Sequence, residues 1–165
     1  MLHKVNIAGM TMDPTSNTPI IILKSEVDDQ AIPIWIGLLE ATSIASALQN
    51  IKFERPMTHD LFKNFTELLN ISVSKVEVCD LKDNTFYARI YFVSEENDFS
   101  IDARPSDAIA IAIRFKAPIY VHEKVIELSK MKDEDAEMLD ESEEGKKWAE
   151  YLENLNPEDF GKYKV

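Results

Sequence analysis

Cysteine, glycine and positive charge are all scarce in these 165 residues: one cysteine, four glycines, and 18 Lys and Arg against 30 Asp and Glu. The single Cys79 excludes a disulfide within the chain and a cysteine-rich zinc site, and it is read as a small core residue. With glycine only at positions 9, 37, 145 and 161, no Gly-rich loop can cradle a phosphate, and no His-Glu-x-x-His spacing occurs. No apolar run approaches the roughly 20 residues that span a bilayer. The N-terminus, Met-Leu-His-Lys-Val-Asn-Ile, alternates like a strand rather than a signal peptide, so a cytoplasmic location without a membrane partner is expected. The formal net charge of −12 argues against non-specific polyanion binding over the whole surface.

That charge is uneven. Residues 123–165 carry 14 acidic and 7 basic side chains, leaving 16 and 11 for residues 1–122. A body over 1–122 and an acidic helical C-terminal extension over 123–165 are therefore expected. Within the extension, Trp148, Tyr151, Leu152 and Leu155 form a helical stripe suited to docking on the body or on a partner.

Alternation predicts strands over 2–9, 19–24 and 31–36, with Pro33 pointing to a sheet edge. Leu38, Ala41, Ile44, Ala45 and Leu48 then recur at helical spacing. Residues 71–80 and 85–93 read as a hairpin around Lys82-Asp83-Asn84, and 98–103 returns beside them to make a meander. The fold class is α+β: a compact β-rich domain with mixed or antiparallel sheets, packed helices and a C-terminal helical tail.

One stretch organises the rest: Ile-Asp-Ala-Arg-Pro-Ser-Asp-Ala-Ile-Ala-Ile-Ala-Ile-Arg, residues 101–114. A strand ends at Arg104, Pro105 suits a first helical turn, and Ser106 and Asp107 are cap or first-turn residues. The Ile/Ala run that follows alternates like a strand. Its preceding cap and its alanine content decide for a buried helix. Arg55-Pro56-Met57-Thr58-His59-Asp60-Leu61 echoes this turn and enters a helix whose apolar face is Leu61, Phe65, Leu68 and Leu69. The echo reads either as an internal duplication of a strand–turn–helix unit or as shared capping chemistry.

With Ile34–Ile36 followed by Glu40-Ala41, then the two Arg-Pro turns in this order, residues 2–122 resemble the bifunctional nuclease family, and its bacterial members in particular. The domain occurs in bacterial proteins and in plant enzymes credited with DNase and RNase activity. The resemblance implies a self-associating α+β domain, a possible homo-oligomer. It also implies a nuclease that hydrolyses phosphodiesters of RNA and DNA with little sequence preference, single strands being the partner.

Such hydrolysis needs water activation, phosphate neutralisation and a proton for the leaving oxygen. Glu40, Asp60, Asp102 and Asp107 are the candidate catalytic carboxylates, able in principle to hold Mg²⁺ or Mn²⁺. His59 is the candidate proton carrier, and Arg55 and Arg104 the candidate phosphate clamps. Each also has a structural alternative: Thr58 and Ser106 as caps, Asp60 and Asp107 as complements to helix dipoles, the arginines as their ion-pair partners. The competing function is a non-catalytic interaction or regulatory module that binds a protein or a small anion.

Overall fold

In the computed structural model, residues 1–139 are described, their side chains as far as Met131. The sequence-based expectations for Trp148–Leu155 and the rest of 140–165 lie outside the described residues. The elements are β1 (Leu2–Met12), β2 (Pro19–Ser25), β3 (Ala31–Trp35), α1 (Leu38–Leu48), α2 (Thr58–Leu68), β4 (Ser72–Lys82), β5 (Thr85–Val93), β6 (Phe99–Ala103), α3 (Pro105–Phe115), β7 (Ile119–His122) and α4 (Glu123–Leu139). The fold is α+β, as expected.

One seven-stranded mixed sheet has the order β3-β2-β1-β7-β4-β5-β6. Its two flanks are antiparallel meanders, β1-β2-β3 and β4-β5-β6, and β7 joins them, antiparallel to β1 and parallel to β4. β3, which carries Pro33, is an edge strand. The sequence echo is not the repeat that the topology displays. Arg104 follows a strand, whereas Arg55 follows an irregular loop. What recurs is a three-stranded meander ending in a helix, β1-β2-β3-α1 and β4-β5-β6-α3.

α3 is the centre of the packing. It lies against α1, α2, β4 and β5, and Ala108, Ile109, Ala110, Ile111 and Ala112 are all buried. The strand-like alternation of Ile and Ala is thus the composition of a helix surrounded on most sides. Alanine lets the neighbours approach closely, so volume added there has nowhere to go. Ala112→Leu is expected to cost about 1–3 kcal/mol of stability, read as a lower urea midpoint at unchanged slope. A midpoint within error of the wild type would mean that α3 is not closely packed.

Cys79 is half-buried on β4 and not a core residue. Val125 and Ile126, at the start of α4, do enter the core, and Lys124 anchors the helix to Asp80 at 2.8 Å. α2 departs from expectation more sharply. Its buried residue is Thr66, with Phe62 packed against the core, while Leu61, Phe65, Leu68 and Leu69 face outward.

Candidate active site

The first turns of three helices build the site. Glu40, Asp60 and Asp107 each occupy the third helical position of α1, α2 and α3. A carboxylate there complements the positive end of the helix dipole and can reach back to the free amides of the first turn. Asp60 does so, accepting from the Met57 N–H at 3.0 Å. The residues that open the three helices are Gly37, Met57 and Arg104, with no hydroxyl side chain among them. Thr58 and Ser106 therefore fall inside the first turns instead of capping them.

Two arginines and one histidine tie these carboxylates together. Arg104 donates from Nε to Asp107 Oδ2 at 2.8 Å and pairs through Nη1 with Glu40 Oε1 at 2.9 Å, joining α3 to α1. Glu40 lies folded back over Gly37, so close that a Cβ at position 37 would stand 2.0 Å from Glu40 Oε2. Gly37 has an ordinary φ of −71°. A side chain at position 37 would displace the carboxylate end of Glu40 from this place, and backbone conformation does not call for glycine here.

His59 bridges α2 to both neighbours. Its Nε2 lies 2.9 Å from Asp107 Oδ1 and its Nδ1 lies 2.7 Å from Ser43 Oγ. An ionised carboxylate can only accept, so Nε2 carries a proton and Nδ1 of the neutral ring accepts from the Ser43 hydroxyl. Arg114 completes the set, donating from Nε to Asp60 Oδ1 at 2.7 Å, from Nη2 to Ser43 Oγ at 3.2 Å and from Nη1 to the Ala110 carbonyl at 2.9 Å. The result is a continuous series, Glu40–Arg104–Asp107–His59–Ser43–Arg114–Asp60, across three helices.

Burial alone would push the Asp107 carboxyl up, but the hydrogen bonds from Arg104 and His59 outweigh it and hold the group below the usual carboxylate range. At Asp60 burial again acts upward, and the bonds from Arg114 and the Met57 amide prevail. The hydrogen bond to Asp107, with its charge, raises Arg104. The two arginines differ in access. The Arg104 side chain is 65% exposed and that of Arg114 only 8%. Arg104 can meet a ligand; Arg114 is a tie within the protein.

Of the expected site residues, Glu40, His59, Asp60, Asp107 and Arg104 come together. Asp102 does not: it is exposed on the edge strand β6, in register with Arg89, which bonds Ser100 instead. Arg55 sits exposed in the loop before α2, and no described residue joins it to the series. Among the described residues no three His, Cys, Asp or Glu side chains stand so as to hold a metal ion together. Both oxygens of Asp107 and both of Asp60 are already engaged by donors. The arrangement as it stands does not fit a Mg²⁺ or Mn²⁺ site.

A family profile for the bifunctional nuclease domain matches residues 21–134, a span that holds every member of this series. The chain belongs to the bifunctional nuclease domain family. An uncharacterized protein of Mycobacterium tuberculosis is 35% identical over 164 residues, covering 96% of this chain and 98% of its own length. Bifunctional nuclease 1 of Oryza sativa subsp. japonica is 30% identical over 116 residues, which are 68% of this chain and 35% of the rice protein. Bifunctional nuclease 2 of Arabidopsis thaliana is 34% identical over 107 residues, 62% of this chain and 32% of its own. This chain therefore spans about a third of each plant relative it matches. Among the described residues of this family member, no helix is long and apolar enough to cross a membrane.

Sequence reasoning missed two of the residues that complete the site, Ser43 and Arg114. A signal existed for both. Ser43 lies three residues after Glu40 and Arg114 seven after Asp107, spacings that put each pair on one side of its helix.

Proposed function

We propose that this domain is a nuclease that hydrolyses phosphodiesters in single-stranded RNA and DNA with little sequence preference. The observation that carries the reading is the shared Asp107. One of its oxygens orients His59, and the other holds Arg104, whose guanidinium is exposed. A proton-transfer group and a phosphate-facing cation are thus fixed on one carboxylate, the pairing that phosphodiester hydrolysis requires. Arg104 Nη2 is engaged by no described residue and points the roles: phosphate on Arg104, the proton through His59.

Both ring nitrogens of His59 are occupied, so a proton enters by way of Ser43. A water attacking phosphorus gives its proton to Ser43 Oγ while the Ser43 proton passes to His59 Nδ1. The imidazolium that forms is stabilised by Asp107 and returns a proton to the leaving oxygen by the same route. Arg114 holds Ser43 Oγ in line, and Asp60 holds Arg114. Little sequence preference follows from contacts to phosphate alone. The net charge of −12 keeps general polyanion affinity low, so binding depends on this local cation and weakens with salt.

A second reading, a non-catalytic module binding a protein or small anion, is favoured by the completeness of the ion pairing, which would serve equally to lock three helices. The experiment is release of nucleotides from labelled single-stranded RNA and DNA by highly purified protein, with Mg²⁺, Mn²⁺ or EDTA, beside a folded Arg104→Ala variant. Loss of a phosphate-facing donor should lower the rate on the order of 10²-fold. Equal release by wild type and variant would overturn the nuclease assignment and leave the binding module.

A further inference from the structure

We propose that the cavity beside Arg104 is a nucleobase pocket, which takes an unpaired base of the strand whose phosphate lies on Arg104. The phosphate is placed as in the nuclease reading, on which this assignment rests. The cavity has a volume of about 810 Å³, within the roughly 300–1,000 Å³ of small-ligand sites. It lies between the edge strand β3, the first residues of β5, the start of α3 and Ser129 of α4. Pro33, Ile34, Trp35, Phe86 and Pro105 make its walls largely apolar. Trp35 is 48% exposed, and its indole is held by the bond from Nε1 to Asp13 Oδ2 at 3.0 Å. A large flat ring fixed before any ligand arrives is a stacking surface whose ordering cost is already met.

The polar groups of the cavity select the occupant. Ser106 and Ser129 line it, each only 6% exposed, and no described residue bonds either hydroxyl. A hydroxyl buried that far ordinarily has a partner, and here the cavity is where a partner can stand. Arg104 is the one charged residue of the lining, in a chain with 30 Asp and Glu. The ligand that answers these features is an anion with a flat body and a polar edge, the chemistry of a nucleotide. Stacking is open to every base, and a hydroxyl both donates and accepts, so neither Trp35 nor the serines demand one base over another. A base can enter such a cavity only after leaving a duplex, which costs least where the strand is already single. The pocket thus accounts for both a preference for single strands and a tolerance of sequence.

Calorimetric titration of the full chain tests the pocket with adenosine and uridine monophosphates, as 3′ and 5′ isomers, beside ribose 5-phosphate and inorganic phosphate. One isomer of each nucleotide should bind at least about 10-fold more tightly than ribose 5-phosphate, with little difference between the bases. Trp35→Ala should weaken nucleotide binding about 5- to 150-fold, the loss of one stacked ring, and leave ribose 5-phosphate unchanged. Ser129→Leu, which narrows the cavity from α4, should act in the same direction and guards against a Trp35→Ala protein that fails to fold. Nucleotides that bind no more tightly than ribose 5-phosphate would overturn the pocket, even in a protein that cuts RNA and DNA. Nucleotide binding kept in full by the folded variants would overturn it equally, by placing the base elsewhere. Base-dependent binding that the folded variants lose, in a protein that releases no nucleotides, would uphold the pocket and sink only the nuclease reading.

Discussion

Arg114→Leu is expected to lose about 3 kcal/mol of folding stability, the largest effect of any single change at the site. The guanidinium is buried and touches three helices: Asp60 of α2, Ser43 of α1 and the Ala110 carbonyl of α3. Leucine restores most of the stem volume and none of the donors. Asp60 is left with the Met57 amide alone, and a part-buried carboxylate without its cation is the costly outcome. Asp60 keeps some contact with water, which places the loss at the lower end of the range for a broken buried pair.

A double-mutant cycle with Asp60→Asn isolates the pair, and a coupling of about 1–2 kcal/mol is expected. The cycle also has a pH signature. Asp60 is held below its ordinary range, so its contribution is present above the unfolded-state value and disappears as pH falls through the folded one. The wild type should lose that contribution in acid while Arg114→Leu does not. A loss under about 1 kcal/mol at neutral pH, with no coupling, would show that α2 is held by Phe62 and Thr66 instead.

How far the site could be read from the sequence follows from which interactions are local. Arg104 and Asp107 lie three residues apart across a strand–helix turn, and Pro105 announces the turn. That pair was legible, as were the β4-β5-β6 meander and the edge position of β3. Ser43 to His59 and Asp60 to Arg114 are contacts between helices, separated by 16 and 54 residues. Nothing in a single sequence states which helices touch. Helical spacing could have placed Arg114 beside Asp107 on α3, but not beside Asp60.

α2 shows the opposite case. Its periodicity correctly reports an apolar stripe, and the inference from stripe to core fails because periodicity does not say what covers a face. The polar residues His59 and Asp60 win the inward side because their partners, Asp107 and Arg114, stand on the central helix. Similarly, Asp102 lies two residues before Arg104 in the chain, yet strand pleating and the edge position of β6 leave it exposed and out of the series.

If the proposed nuclease reading holds, Asp107→Asn should lower nucleotide release on the order of 10³–10⁴-fold while leaving the protein folded. The carboxylate accepts twice, from His59 Nε2–H and from Arg104 Nε–H. An amide has one acceptor and one donor end, so it can satisfy only one of them. With its oxygen toward Arg104, its NH₂ faces His59 and forces Nε2 to accept. The ring proton then moves to Nδ1 and points at Ser43 Oγ, which already accepts from Arg114. The Ser43 hydroxyl can no longer hand its proton to the ring, and the proposed entry for a substrate proton closes. With the oxygen toward His59 instead, two donors confront each other at Arg104, and the phosphate clamp loosens. Either orientation damages one of the two roles that the shared carboxylate serves.

The stability of the same variant provides the control. Asp107 lies below the usual carboxylate range, so the wild type is stabilised above the unfolded-state value of about 3.9 and loses this as pH falls through the lower folded value. Asp107→Asn should lack that acid-side slope. Unfolding followed from neutral to acid pH for both proteins, beside nucleotide release at neutral pH, separates the two effects. A variant that loses the slope and keeps full activity would show that Asp107 ties α3 to α2 and Arg104 and takes no part in chemistry. A variant that loses both supports its place between the proton and the phosphate.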